Sequence, residues 1–142
     1  MYKKILVALD NSPADESILP HVVELAQRFG SAILLLHVAD GFAARCFDQL
    51  KLAESEEMKA DQKYLEAAAA RLREKKIPVE TKLALGNPPA EIIKVAEGER
   101  CDLIAMAGHG HRLFGDIFHG STITQVRHKT TIPIFVARAQ KI

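Results

Sequence analysis

Ile5-Leu6-Val7-Ala8-Leu9 is an unbroken apolar run, rich in branched side chains, with Lys3-Lys4 before it and Asp10 after it. A strand covered on one face alternates apolar and polar residues. A run without that alternation needs cover on both faces, as in the parallel sheets of α/β domains. The chain continues Asp10-Asn11-Ser12-Pro13-Ala14-Asp15, where Ser12 predicts a helix N-cap, Pro13 the first helical position and Asp15 the last member of an S-x-x-D capping box. Ile18, Val22, Leu25, Ala26 and Phe29 then fall on one helical stripe, and Gly30 stands where a C′ residue belongs.

The same alternation repeats along the chain. Ala32 to Val38 is a second two-sided strand, residues 39 to 50 read as loop, and Lys51 to Lys75 is a long, charged, Ala-rich helix with Met58, Leu65 and Leu72 on one face. Pro78 to Leu85, with Val79, Lys82 and Leu83 in a mixed pattern, suits a sheet edge. Gly86-Asn87-Pro88 marks a turn and an N-cap, and the helix after it buries Ile92, Ile93, Val95 and Ala96 and ends near Gly98. Leu103-Ile104-Ala105-Met106-Ala107 is a central strand, and a glycine-rich segment runs from Gly108 to Gly120. A last helix, capped by Ser121 or Thr122, buries Ile123 and Val126. Pro133 and Ile134-Phe135-Val136-Ala137 close the chain as a strand.

The order β-α-β-α-β-α-β-α-β with two-sided strands predicts a single-domain, Rossmann-like α/β fold: an open parallel five-stranded sheet with helices on both faces. Right-handed crossovers and one reversal of winding favour strand order 3-2-1-4-5, which puts a ligand beyond the carboxyl ends of strands one and four. Those ends are Leu9-Asp10-Asn11-Ser12 and Ala107-Gly108-His109-Gly110.

Composition bounds the function. At 142 residues and 48% hydrophobic content, one domain accounts for the whole chain, and it is large enough to bury about two-thirds of its unfolded surface without a metal or disulfide. Nineteen basic residues against eighteen acidic ones leave a net charge of +1, and no block of like charge offers a face to nucleic acid or an anionic membrane. Cys46 and Cys101 form no CxxC pair and are read as free thiols of a reducing compartment. The apolar run after Lys4 is too short for a signal peptide, and no stretch is long enough for a membrane span, so a cytoplasmic location is expected.

In the segment from Gly108 to Gly120, glycines allow backbone N–H groups to approach an anion, and the helix start at Gly120-Ser121 adds unpaired donors and partial positive charge. That is the physics of a phosphate site. A loop with flexible turns is the alternative, and the spacing is not that of a Walker A loop. His109, His111 and His119 share the segment, but apart from Asp116 nothing completes a ligand set, which favours loop polarity or phosphate contact over a metal. His37 is expected as a satisfied core histidine, His128 as a solvent-facing one, and nothing supports reactivity for Cys46.

These residues resemble the universal stress protein family over nearly the whole chain. The family's G-x-x-G, nine residues, G-S/T hallmark matches at Gly110, Gly120 and Ser121, although the family's first glycine is Ala107 here. Ile5 to Ser12 is similar to its opening strand and D-x-S turn, Ile33 to Val38 to its second strand, Gly86-Asn87-Pro88 to its G-x-P turn, and Pro133 to Val136 to its closing strand. The resemblance implies an adenine nucleotide alpha hydrolase-like fold and a bound ATP or AMP, with or without Mg2+. It also implies that Gly110, Gly120 and Ser121 hold phosphates, that Asp10 lies near the ribose, that Ala8 and Val38 flank the adenine, and that Met106, Ala107 and Gly108 line the wall. Arg112 would add a phosphate contact. For Asp10 a plain turn carboxylate is an equal reading, and for Ser121 an N-cap role is compatible with phosphate binding.

The leading expectation is therefore a stress-response protein whose adenine-nucleotide occupancy changes its conformation or partner. No residue stands out as a general base, so catalysis would amount to slow ATP hydrolysis at most. An adenylyl-transferring enzyme of this sheet type would need a His-x-x-His-like signature near the first helix, where Asn11-Ser12-Pro13-Ala14 has no histidine. A non-nucleotide interaction module is the remaining alternative. The apolar, β-prone run Ile132 to Ala137 lacks a following element to cover it, and both this and the resemblance predict a homodimer through the C-terminal strand.

Overall fold

The structure, a computed structural model, describes residues 1–40, 51–108 and 120–139, with 40, 51–55, 120 and 121 described at the backbone only. In chain order the elements are β1 (Lys4–Ala8), α1 (Asp15–Phe29), β2 (Ala32–Asp40), α2 (Lys51–Arg73), β3 (Val79–Gly86), α3 (Pro88–Gly98), β4 (Leu103–Gly108), α4 (Gly120–Lys129) and β5 (Ile134–Arg138). All four strand pairings are parallel and the order is β3-β2-β1-β4-β5, as expected.

The unbroken apolar runs divide between two cores because successive side chains point to opposite faces. Ile5, Val7, Leu9, Ile33, Leu35 and Ala105 pack against Ile18 and Val22 of α1 and Leu65 and Leu72 of α2. Leu6, Ala8, Leu34, Leu36, Ile104 and Met106 pack on the other face against Ile92 and Val95 of α3 and Val126 of α4. Burying a side chain of this size contributes about 1.5–3 kcal/mol relative to exposure, so polar residues at alternate positions of a central strand would strip one of the two layers of that support.

Asn87 caps α3 as its position before Pro88 predicts, its side chain accepting the Ala90 N–H at 3.2 Å. The start of α1 differs from expectation. The helix begins at Asp15, its N-cap is Ala14, and no side chain caps it. Ser12 and Pro13 instead close preceding turns, with Asp15 N donating to Ser12 O at 3.0 Å and Glu16 N to Pro13 O at 3.1 Å. The Asp15 carboxylate is drawn away by partners outside the helix. Phe29, placed on the buried stripe by its spacing, is 47% exposed and meets the Tyr2 ring edge-on at 5.3 Å. Helix α4 begins at Gly120, so Ser121 and Thr122 lie in its first turn instead of capping it, and Thr122 is buried.

Candidate functional site

The winding reverses between β1 and β4, and the carboxyl ends of the two strands lie side by side there. Ala8 sits in register with Leu36 on one side and Met106 on the other. Ala8 and Val38, expected to flank the adenine, and Met106, expected to line the wall, are all buried on the α3/α4 face. Ala107 points the other way: its methyl joins Leu9, Ala137 and Ala139 in the α1/α2 core, so the alanine at the family's glycine position is absorbed by packing on the opposite face. Gly108 has a steric reason to be glycine. A Cβ there would meet Val136 Cγ1 at 2.8 Å and Ile123 Cδ1 at 3.4 Å.

Asp10 is 5% exposed at the head of the β1–α1 turn, and its carboxylate accepts the Ser12 hydroxyl. The turn is held by residues the sequence did not single out as a group. Asp15 accepts the N–H groups of Asp10 and Asn11, each at 3.0 Å, and the Tyr64 hydroxyl at 2.7 Å. Asp61 of α2 accepts the Asn11 side-chain amide at 2.6 Å and lies 3.5 Å from His37 Nε2, while His37 Nδ1 is 2.9 Å from the Leu9 carbonyl oxygen. His37 is thus the satisfied core histidine its place in β2 predicts. Its Nδ1–H is the donor, since a carbonyl only accepts.

Electrostatics follow from this crowding. Burial pushes the Asp15 carboxyl up to about 7; the Tyr64 hydroxyl bond works against the rise and the charge of Asp10 adds to it. Tyr64 is pushed up as well, first by burial and then by its bond to Asp15. At the opposite end of the sheet, Cys101 is a free, buried thiol that burial pushes up to about 11, which suits an inert core residue.

Gly120 and Ser121 open the first turn of α4, where backbone donors lack helical partners. Gly110, Arg112, Cys46, Asp116 and the histidines His109, His111 and His119 lie outside the described residues. His128 is exposed on α4. Among the described residues no group of three His, Cys, Asp or Glu side chains is placed to hold a metal, and no helix is long and apolar enough to cross a membrane.

This is an open, doubly wound parallel α/β domain with a polar turn at the end of β1, where its winding reverses. The chain belongs to the universal stress protein family, whose model matches residues 1–138. It is similar to universal stress protein MJ0577 of Methanocaldococcus jannaschii, with 30% identity over 97% of this chain and 96% of the relative. A solved structure of that protein covers 100% of this chain and 99% of its own at a TM-score of 0.82. Two other solved structures share the fold at lower identity. A universal stress protein of Archaeoglobus fulgidus in complex with dAMP has 22% identity, covers 96% of this chain and 98% of its own, and has a TM-score of 0.72. A universal stress protein in complex with cAMP has 12% identity, covers 98% of each chain, and has a TM-score of 0.67.

Proposed function

We propose that the chain binds ATP or AMP at the carboxyl edge of the sheet between β1 and β4, and works in the cytoplasm as a nucleotide-dependent switch or interaction protein of the stress response. The observation that carries this reading is the reversal of winding between β1 and β4, which sets the Asp10 turn beside the Gly108 end of β4, with Ala8 and Met106 in register below and Ile123 of the first α4 turn against Gly108. Asp10 would take the ribose, Ala8 and Val38 the adenine, Met106, Gly108 and the backbone of Ala107 the wall, and Gly110, Gly120 and Ser121 the phosphates, with Arg112 as a further phosphate contact. Family members seen with dAMP and cAMP support an adenine nucleotide as the ligand class. The inward packing of Ala107 supports nucleotide binding over an interaction module closed to nucleotide, because its methyl lies on the face away from Ala8 and Met106. Titration calorimetry of the purified protein with ATP and with AMP, each with and without Mg2+, tests the reading. Binding of at least one of them is expected, and neither heat nor retention on equilibrium dialysis with the fold intact overturns it.

A further inference from the structure

Asn11 is in the left-handed region at φ 60°. Asparagine tolerates this conformation, but its own backbone does not hold it there. The restraint comes from three other elements. His37 of β2 fixes the Leu9 carbonyl, Asp15 of α1 fixes the Asp10 and Asn11 N–H groups, and Asp61 of α2 fixes the Asn11 side chain. Asp61 is the member that joins separate parts of the fold, since its two oxygens face Asn11 on the turn and His37 on the neighbouring strand. It is fifty residues from Asn11 in sequence and largely buried, with its side chain 17% exposed. Asp10 directly precedes Asn11, and its carboxylate accepts the Ser12 hydroxyl from the same turn, so the turn conformation that Asn11 adopts also places Asp10.

We propose that Asp61 is a positioning residue of the nucleotide site: from α2 it holds Asn11, and through Asn11 it keeps Asp10 aimed at the ribose. This rests on the nucleotide reading above. In this role Asp61 acts through Asn11 and not by contact with the ligand.

The test measures adenosine and ATP affinity by calorimetry on the full chain, with thermal midpoints alongside. Asp61→Ala is expected to weaken adenosine and ATP by the same factor, about tenfold, the scale of one hydrogen bond to a charged group, because the defect lies at the ribose end. Asp61→Asn, whose amide oxygen still accepts from Asn11, is expected to restore most of the affinity. In an Asn11→Gly background, Asp61→Ala is expected to add no further loss, since its target side chain is gone. Unchanged adenosine affinity in Asp61→Ala overturns the proposal, as does an equal loss with and without the Asn11 side chain, which would make Asp61 a general packing residue. If the unaltered protein binds neither adenosine nor ATP, the nucleotide reading itself fails and this inference falls with it.

Discussion

Asp15 combines a burial cost with three hydrogen bonds on one carboxyl, and its titration should show which dominates. Burial pushes its folded value to about 7 against an ordinary 3.8, so the folded protein binds this proton more tightly than the unfolded chain does. The contribution to stability is then fully present below about pH 4 and is lost as the pH rises toward about 7. Asp15→Asn removes the titration. Urea unfolding of both proteins should show the unaltered chain gaining on the variant between pH 8 and pH 5, whereas a constant difference would place the Asp15 carboxyl in the ordinary range. Gly108 offers a purely steric counterpart. Gly108→Ala should lose about 1–2 kcal/mol of stability from overpacking against Val136 Cγ1. Adding Val136→Ala should recover most of that in the same urea measurement, because Val136 is 45% exposed and supports little core.

An element is legible in the sequence where its signal is local. The five two-sided or edge strands, the Asn87 cap and the helical stripes each follow from residues within one turn or one strand of each other. The start of α1 was not legible for the opposite reason. The S-x-x-D pattern favours a capping box, but the partners that win Asp15 include Tyr64, forty-nine residues away on α2, and no local pattern contains that contact. Asp61 escaped notice in the same way, as one carboxylate among many on a charged helix. At the start of α4 the Gly120-Ser121 pair marked a helix terminus, yet the helix begins at Gly120 itself and so places Ser121 in the first turn. This sharpens a prediction. If the turn cradles phosphate, Ser121→Ala should cost roughly 1.5–3 kcal/mol of ATP affinity, about ten- to a hundredfold, and leave adenosine affinity unchanged. Calorimetry with both ligands checks this, and an intact ATP affinity would remove Ser121 from the phosphate contacts.

At the scale of the molecule the two edges of the sheet differ in chemistry. The β3 edge carries exposed Glu80 and Lys82, and charges of this kind discourage pairing with another chain. The β5 edge reads Ile134-Phe135-Val136, with Val136 45% exposed and Ile134 and Phe135 only partly covered. Among the described residues β5 pairs with β4 alone, which leaves its outer backbone groups available. A second copy related by a two-fold axis would satisfy those groups and cover the apolar side chains with the same patch on each subunit, the usual geometry of a closed dimer. A homodimer through β5 is therefore expected. Light scattering at micromolar concentrations and above should give twice the 15.7 kDa chain mass, and Val136→Lys should shift it to the monomer by placing a charge on each side of the axis. Because Val136 contributes little to the core, the variant should remain folded. A monomer from the unaltered protein, or a dimer indifferent to Val136→Lys, would move the association surface away from this edge.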